Sequence, residues 1–374
     1  MPATTTDGSR PQRARLGVAV IGAGYWGPNL IRNFAGLGTV DLRWVCDRDV
    51  DRARGALVGR SGVRVTDSID DVLNDPAVGA VAIATPAATH APIARRCLDA
   101  GRHVLSEKPL ACSTLDGEAL VELADRRDLV LMCDHTYCYS TAVQYLHDLI
   151  ASGEAGDLQY LDSVRINLGI VQPDVDVFWD LGPHDLSILD YILPADCRPV
   201  SVAAQSADPL GVGRACIGYV TLQLANGAIA HLHLNWLSPT KARTLVTSGS
   251  RLMAVWDDLA PAQRISVYDR GASLGAGDDR SSRHAALVSY RLGDMRAPAL
   301  EDREALATMV TEFVDAIGSG RAPLTDGRSG VRILRLLEAI PDSLALGGAA
   351  VLLDDRAAPH RDQVETVVQN GRER

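Results

Sequence analysis

The chain of 374 residues exceeds the length that one hydrophobic core usually supports, which predicts two domains. Apolar residues make up 47% of it, yet no apolar run approaches the roughly 20 residues that span a bilayer, so we expect no membrane partner. The net charge of −10 argues against binding to nucleic acid or to an anionic membrane surface.

Strand and helix patterns alternate through the first third of the chain. Apolar runs predict strands over 16–22, 41–47, 80–85, 103–108 and 129–134, and helical spacing predicts helices over 26–37, 92–100 and 114–127. Strands separated by helices imply a parallel sheet with helices on both faces. We place this domain at residues 16–137, after a polar segment, 1–15, that lacks the apolar core of a signal peptide and is expected to be a disordered tail.

The pattern changes after about residue 150. A strand over 158–168 and a helix over 180–193 precede several strand-like runs between 214 and 258, and Asn226-Gly227 between two of these runs is typical of a hairpin. A loop over 272–283 and helices over 303–317 and 327–346 follow. These elements predict a second α/β domain over 138–354 with a large, mostly antiparallel open sheet, then a polar tail over 355–374.

One face of the second sheet is expected to be apolar. Val220, Leu222 and Leu224 alternate with Thr221 and Gln223 on one of its strands. If helices cover only the other face, the bare face should pair with another subunit, which predicts a homodimer or homotetramer.

The seven cysteines are odd in number, form no Cys-x-x-Cys pair, and lie mostly in apolar stretches. This pattern favours reduced, buried thiols and a cytoplasmic location over a disulfide framework. A structural zinc site would require closer clustering, so we expect no bound metal ion.

A G-x-G-x-x-G motif closes the first strand and opens the first helix. The first glycine permits a tight turn, the second lets the backbone approach a pyrophosphate, and the third lets the helix pack closely on the strand. The helix N-terminus offers free N–H groups and a positive dipole end to the phosphates. The motif predicts an N-terminal Rossmann domain that binds NAD through Gly22, Gly24, Tyr25, Trp26 and Gly27.

Asp47 ends the second strand, where an acid that binds the adenosine ribose is expected. A carboxylate accepts hydrogen bonds from the ribose hydroxyls and repels a 2′-phosphate, so NAD is favoured over NADP. Arg48 follows directly and could weaken that preference. The alternative is a plain helix-capping turn with an exposed aspartate.

Glu107-Lys108-Pro109 closes another parallel strand. The carboxyl ends of such strands face the ligand crevice, which would place Lys108 near the nicotinamide. The alternative is a solvated surface lysine before a proline turn.

Asp180 and His184 are spaced i, i+4 and therefore share one face of the predicted helix. A carboxylate beside a histidine can fix its tautomer and raise its basicity. The alternative is that Asp180 only caps the helix, with Pro183 in the first turn.

Together these motifs resemble the Gfo/Idh/MocA oxidoreductases, over nearly the whole chain from residue 16 to about residue 353. Three further motifs of that family are matched: by Thr85-Pro86 with His90, by Glu107-Lys108-Pro109, and by Asp180 with His184. The resemblance implies that the cofactor site also includes Thr85, Pro86, His90, Glu107 and Lys108.

The resemblance is stronger to one branch, the sugar 3-dehydrogenases, which act on amino sugars such as UDP-N-acetylglucosamine or on related glycosides. The matching segments are 24–29, 135–137, 165–169 and 179–185, with Trp236, Pro239, Lys241 and Arg243. This branch implies substrate contacts from His135, Tyr139, Asn167, Asp185, Lys241 and Arg243.

The implied reaction is the NAD-dependent oxidation of a ring hydroxyl, at C3 of an amino sugar, to a keto sugar that an aminotransferase would then consume. His184 is the expected base, Asp180 would orient it, and Lys108 would stabilise charge developing on the substrate oxygen. A lysine whose pKa is lowered beside the cationic nicotinamide is the alternative base.

Three other functions stay open. An inositol-type cyclitol dehydrogenase would use the same Lys108, Asp180 and His184, and a keto-sugar reductase would run the reaction in the opposite direction. A non-catalytic NAD-binding sensor is a different class of protein, and the presence of all three residues argues against it.

Overall fold

The structure is a computed structural model that describes residues 15–274 and 288–353. Apart from Arg15, the two predicted tails lie outside the described residues, and so does most of the predicted loop over 272–283. Within the described ranges, no helix is both long enough and apolar enough to cross a membrane.

The first domain contains a six-stranded parallel sheet with the strand order β3-β2-β1-β4-β5-β6. Its strands are β1 (Leu16–Ile21), β2 (Val40–Cys46), β3 (Arg64–Thr66), β4 (Ala80–Ile83), β5 (His103–Ser106) and β6 (Leu131–Cys133). The connecting helices are α1 (Gly27–Gly36), α2 (Val50–Gly55), α3 (Ile69–Leu73), α4 (His90–Asp99) and α5 (Thr114–Arg126). The strand order changes direction between β1 and β4, where open α/β sheets bind their ligands.

Apolar side chains on the two faces of the parallel sheet belong to two separate cores. On β1, Val18 and Val20 contribute to one core, and Ala19 and Ile21 contribute to the other. Successive side chains of a strand point to opposite faces, so helices on both sides bury a continuous apolar strand.

The second domain contains a nine-stranded sheet with the order β14-β13-β12-β11-β7-β10-β9-β8-β15. Its elements are α6 (Thr141–Ala151), β7 (Leu158–Leu168), α7 (Val177–Ile192), β8 (Pro199–Ala207), β9 (Ile217–Leu224), β10 (Ile229–Asn235), β11 (Leu237–Gly249), β12 (Met253–Asp257), β13 (Ile265–Leu274), β14 (Val288–Arg296), α8 (Ala305–Ser319), α9 (Gly327–Ala345) and β15 (Val351–Leu352). All its strand pairs are antiparallel except β7 with β10, which confirms the predicted α/β class.

The predicted hairpin is present between β9 and β10. Gly227 has a φ of +88°, which a residue with a side chain rarely adopts, and this explains a glycine at the turn.

Helix α7 begins three residues before the predicted start. Asp176 is its N-cap, and the Asp176 carboxylate accepts a hydrogen bond of 3.0 Å from the Trp179 N–H. The alternative in which Asp180 caps the helix is therefore wrong. Asp180 lies in the first turn, where its carboxylate is available to other groups.

Helix α8 packs against the first domain, although the sequence assigned it to the second. The rings of Phe34 on α1 and Phe313 on α8 lie 6.4 Å apart, and Phe313 is fully buried in a core of the first domain. The sequence did not indicate that α8 packs on the first domain, because an amphipathic pattern shows that a helix packs but not against which partner.

The apolar face of the second sheet is covered, contrary to the expectation of a bare face. Val220, Leu222 and Leu224 are at most 1% exposed and belong to a core that includes side chains of α7 and α9. The uncovered face instead presents Tyr219 and Thr221, with the Tyr219 ring stacked on His233 at 4.5 Å.

All seven cysteines are free thiols, and every one except Cys112 is buried. This confirms the prediction that most of the cysteines are buried.

Candidate active site

A cavity of about 1070 Å³ lies between the two domains. Its lining includes Tyr25 and Lys108 from the first domain and Asp180, His184 and Arg243 from the second. The carboxyl ends of β4, β5 and β6 open into it, because Thr85, Lys108 and Asp134 directly follow or closely follow those strands. The arrangement is that of a ligand crevice at the edge of an open parallel sheet.

The three glycines of the turn after β1 differ in the space around them. A Cβ on Gly22 would lie 2.4 Å from the Ala84 carbonyl oxygen, and one on Gly27 would lie 2.1 Å from the Gly22 carbonyl oxygen. A Cβ on Gly24 would meet nothing within 4 Å. Gly22 and Gly27 are therefore required by packing, whereas Gly24 leaves open space beside the N-terminus of α1. That space fits a pyrophosphate approaching the backbone.

Asp47 is fixed against the glycine turn. Its Oδ2 accepts a hydrogen bond of 2.7 Å from the Ala23 N–H, and its Oδ1 accepts one of 2.9 Å from the Asp49 N–H. The side chain is only 10% exposed, so the alternative of an exposed aspartate does not describe it. Arg48 is exposed. The position of Asp47 fits an acid that would accept hydrogen bonds from ribose hydroxyls.

Lys108 joins the two domains. Its Nζ donates a hydrogen bond of 2.9 Å to the backbone oxygen of Asp180 and lies 3.6 Å from Asp180 Oδ1. Asp180 Oδ2 accepts a hydrogen bond of 3.0 Å from Trp236 Nε1. The hydrogen bonds found in the described residues include none between Asp180 and His184, so the carboxylate orients the lysine rather than the histidine.

His184 lies one turn after Asp180 and lines the same cavity. Burial, then the positive charges of Lys108 and Arg165, lower its pKa well below the ordinary value. Its ring lies edge-on to Tyr137, with the centroids 5.3 Å apart. The imidazole is therefore neutral at neutral pH, which is the form that accepts a proton.

Tyr137 lies between two arginines, an arrangement that sequence analysis missed. Its hydroxyl oxygen accepts hydrogen bonds from Arg165 Nη1 at 3.2 Å and Arg243 Nη1 at 3.1 Å. The Arg165 guanidinium also lies 4.6 Å from the Tyr137 ring centroid, which permits a cation–π contact. The three residues are distant in the sequence, so no local spacing could reveal the cluster.

Comparison with known proteins identifies the architecture. A family model described as an oxidoreductase family with an NAD-binding Rossmann fold matches residues 16–135, and one described as a GFO/IDH/MocA C-terminal domain matches residues 143–255. The chain belongs to the GFO/IDH/MocA oxidoreductase family. It is an NAD-dependent oxidoreductase that acts on CH–OH groups.

Three relatives are informative. The UDP-N-acetylglucosamine 3-dehydrogenase of Acidithiobacillus ferrooxidans is 30% identical over 84% of this chain and 93% of its own length. A crystal structure of that enzyme, GnnA, matches 88% of this chain and 97% of the solved chain with a TM-score of 0.74 and 28% identity. The structure of GenD2 from gentamicin A biosynthesis, in complex with NAD, matches 94% of this chain and all of that chain, with a TM-score of 0.76 and 28% identity.

The third is a dTDP-3,4-didehydro-2,6-dideoxy-alpha-D-glucose 3-reductase of Saccharopolyspora spinosa. It is 28% identical over 67% of this chain and 80% of its own length. The resemblance to the sugar 3-dehydrogenase branch, inferred from motifs, is confirmed by the similarity to GnnA.

Many predicted site residues lie together on the cavity wall: Tyr25, Trp26, Thr85, Glu107, Lys108, Asn167, Asp180, His184 and Arg243. Pro86 is exposed and does not line this cavity.

His90 does not face the cavity. It is buried, with Nδ1 2.7 Å from the Pro109 carbonyl oxygen and Nε2 2.7 Å from the Thr85 carbonyl oxygen. It ties together the loops after β4 and β5, so its role is to position Thr85 and Lys108 rather than to contact the cofactor.

His135 and Tyr139 also lie outside the cavity lining, although substrate contacts were expected from both. His135 is 2% exposed, and neither ring nitrogen has a hydrogen-bond partner among the described residues. The Tyr139 hydroxyl lies 3.0 Å from Thr325 Oγ1, and the residue is 2% exposed. The short 3₁₀ helix Thr136–Tyr139 turns Tyr137, instead of Tyr139, towards the cavity.

Asp185 and Lys241 differ from expectation as well. Asp185 is 3% exposed, and its two oxygens accept hydrogen bonds from Arg165 Nε at 2.6 Å, Arg165 Nη2 at 3.1 Å and Ser163 at 2.9 Å. It holds Arg165 in place and has no free oxygen for a substrate. Lys241 is exposed on β11 where the pairing with β7 is interrupted between Leu237 and Ala242, and it does not line the cavity.

Proposed function

We propose that the protein oxidises the C3 hydroxyl of an amino sugar to a ketone and transfers the hydride to NAD. The observation that carries the proposal is the contact of Lys108, at the end of β5, with Asp180 on α7, one turn before His184 in the same cavity. The contact joins the nucleotide-binding domain to the sheet domain at one point, where a substrate hydroxyl could meet a cofactor.

The proposed roles follow from the charges. Oxidation needs a base for the hydroxyl proton and a positive group beside the oxygen while negative charge develops on it. Neutral His184 serves as the base, and the Lys108 ammonium stabilises the oxygen. Asp180 is a positioning residue, because it acts through Lys108. When bound, NAD supplies the hydride acceptor.

The position of the oxidised hydroxyl is inferred from relatives. Both the dehydrogenase of A. ferrooxidans and the reductase of S. spinosa are named for reactions at position 3 of a sugar. A 3-keto sugar is a substrate for transamination, so we propose that an aminotransferase consumes the product. The reductase leaves the opposite direction open, and both directions are therefore assayed.

The charge of the cavity favours a glycoside-linked amino sugar over a nucleotide-linked one. Even without Glu107, whose pKa burial raises well above its usual range, carboxyl side chains outnumber cationic ones in the lining: Asp134, Asp174, Asp180, Asp258, Asp302 and Glu304 against Lys108, Arg165, Arg243, Arg264 and Arg303. Arg165 is paired with Asp185, and Arg243 lies 3.4 Å from Asp258. Few cations are left for a sugar diphosphate, whereas a protonated amine on a glycoside would meet carboxylates.

The test is a substrate panel followed by absorbance, as NADH formation with each alcohol and as NADH consumption with a keto sugar. It contains UDP-N-acetylglucosamine, a glycoside with a free amino group, and myo-inositol, each assayed with wild type and with Lys108→Ala as the background. Turnover of an amino sugar with a 3-keto product, identified by mass spectrometry after borodeuteride reduction, supports the proposal.

Turnover of myo-inositol alone would instead establish the cyclitol dehydrogenase. Tight NAD binding, combined with neither turnover of any polyol nor reduction of any keto sugar, would favour the non-catalytic sensor.

We also propose that the protein assembles as a homodimer or homotetramer through the uncovered face of the nine-stranded sheet. Tyr160, Tyr219 and Ile229 on that face are 37–44% exposed and would be buried by a second copy of the face. Light scattering should show a species larger than a monomer, and Tyr219→Glu should weaken the association; a monomer at micromolar concentration would rule assembly out.

The free cysteines support the cytoplasmic location that we propose.

A further inference from the structure

Two carboxyl groups lie side by side at the edge of the parallel sheet. Ser106 and Cys133 are paired at the ends of β5 and β6, and the Asp134 N–H donates a hydrogen bond of 2.7 Å to the Ser106 oxygen. Glu107 directly follows β5 and Asp134 directly follows β6, and both residues line the cavity next to Lys108. Sequence analysis did not select Asp134.

Asp134 is a buried carboxylate held by neutral donors. It is 2% exposed, and its oxygens accept hydrogen bonds from Trp26 Nε1, at 3.2 Å, and from the Thr136 hydroxyl. The ion pairs found within residues 15–274 and 288–353 include none for Asp134. The nearby ammonium of Lys108 is directed to Asp180. A buried negative charge without a cation is unfavourable unless a ligand brings positive charge to it.

Glu107 lies beside this carboxyl group, with little contact to solvent. Its Oε2 accepts a hydrogen bond of 3.2 Å from the Lys108 N–H, and its Oε1 is buried without a partner in the described structure. Burial, followed by the negative charge of Asp134, raises the pKa of Glu107 well above its usual range. Adjacent buried carboxyl groups resist losing both protons, which favours a state of the pair with one proton and one negative charge.

We propose that the Glu107–Asp134 pair makes the protein bind NAD⁺ in preference to NADH. The nicotinamide ring is cationic in the oxidised cofactor and neutral in the reduced one, so a fixed negative charge at this edge of the crevice favours the oxidised form. The preference assists loading with the hydride acceptor and release of the reduced cofactor after oxidation of a substrate.

The test measures cofactor binding and needs no sugar substrate, so its outcome is independent of the substrate assignment. Dissociation constants are measured for the full chain, by calorimetry for NAD⁺ and by fluorescence for NADH, and expressed as the ratio of Kd for NAD⁺ to Kd for NADH. Asp134→Asn preserves the shape and removes the charge, and should raise this ratio about tenfold. Glu107→Gln, which mimics the protonated acid, should change it by less than about threefold.

Two further variants make the result decisive. The double variant Glu107→Gln with Asp134→Asn should raise the ratio about tenfold. If the ratio rises in the double variant but not in Asp134→Asn, the pair is still supported, because Glu107 carries the negative charge once residue 134 is neutral. Asp174→Asn is the matched control, since it removes an exposed carboxylate from the same cavity and should leave the ratio unchanged.

The proposal is overturned if the double variant keeps the wild-type ratio, if Glu107→Gln alone raises it as far as the double variant does, or if Asp174→Asn raises it equally. Melting temperatures establish that each variant is folded. Asp134→Ser, which also removes the charge, replaces Asp134→Asn if that variant does not fold.

Discussion

Lys108 and Asp180 lie in different domains and meet through both the backbone and the side chain of Asp180. The ammonium lies 2.9 Å from the backbone oxygen and 3.6 Å from the carboxylate. The backbone contact persists in any Asp180 variant, whereas the carboxylate contact does not. The two contributions can therefore be separated by mutation.

The first prediction uses this difference. Lys108→Ala should lower kcat by about 10²-fold or more while NAD affinity stays nearly unchanged, because charge on the substrate oxygen loses its stabilising group. Asp180→Asn should cost about tenfold, since the backbone contact still positions the lysine. Trp236→Phe removes the hydrogen bond to Asp180 Oδ2 and also shrinks a fully buried side chain, so its melting temperature is measured alongside; its kcat should fall less than that of Asp180→Asn.

Steady-state kinetics with the substrate found in the panel measure these effects. Equal losses for Asp180→Asn and Lys108→Ala would show that the carboxylate, rather than the backbone contact, positions the lysine. The combined variant should be no worse than Lys108→Ala alone, because groups that act as a unit do not contribute additively.

The second prediction concerns pH. His184 must be neutral to accept a proton, and burial with Lys108 lowers its pKa well below the usual value. Activity is lost only when the pH falls through this lowered pKa, so the acid limb of kcat/KM for oxidation should lie below about pH 6.5. His184→Asn should remove that limb and lower kcat. A limb centred above pH 6.5, or one that survives in His184→Asn, would assign the base elsewhere, with Lys108 the next candidate.

Features set by neighbouring residues were predictable from the sequence. The glycine turn and the Asn226-Gly227 hairpin depend on backbone angles that few residue types adopt, so the residues themselves report the structure. Asp180 and His184 were placed correctly on one helix. The N-cap of that helix could not be chosen from the sequence, because an aspartate at either 176 or 180 satisfies the same local pattern and only packing selects between them.

Features set by distant residues were not predictable. Tyr137 is bound by arginines 28 and 106 residues away, and Asp185 is used by Arg165 instead of by a ligand. A motif shows which residue types a site contains, but not whether a charge is already neutralised by a partner on another strand. The same limit applied to Asp134, whose neighbour across the sheet is Glu107.

The third prediction concerns His135. Burial is the largest of the effects that lower its pKa, to about 4, whereas in the unfolded chain a histidine titrates near 6.5. Between these values the unfolded state binds a proton that the folded state does not, so the free energy of unfolding falls as the pH drops from about 6.5 to about 4. His135 adds up to about 1.4 kcal/mol per pH unit to this slope.

Urea unfolding of wild type and of His135→Leu at several pH values in this window checks the prediction. The variant does not titrate, and its slope should be shallower by up to one proton. His147→Leu, at a partly exposed position on α6, is the matched control for replacing a histidine by leucine and is measured at the same pH values. Parallel pH dependences for wild type and His135→Leu would mean that His135 titrates normally in the folded state.

The fourth prediction separates two glycines of the same turn. Gly27→Ala should destabilise the protein by about 1–3 kcal/mol, because its Cβ would lie 2.1 Å from the Gly22 carbonyl oxygen and force the strand and helix apart. Gly24→Ala adds a Cβ with no neighbour within 4 Å, so its melting temperature should stay close to that of wild type. Its affinity for NAD should nevertheless fall on the order of tenfold or more, because the methyl group enters the space that fits the pyrophosphate.

Thermal unfolding and calorimetric titration with NAD distinguish the two glycines. A folded Gly24→Ala protein that binds NAD as tightly as wild type would show that the pyrophosphate does not approach the backbone at this residue. A loss of stability in Gly24→Ala equal to that in Gly27→Ala would show that the open space beside Gly24 is needed by the fold itself. The expected split, stability lost at Gly27 and cofactor affinity lost at Gly24, follows from the one contact that differs between them: the Gly22 carbonyl oxygen faces Gly27 and leaves Gly24 open.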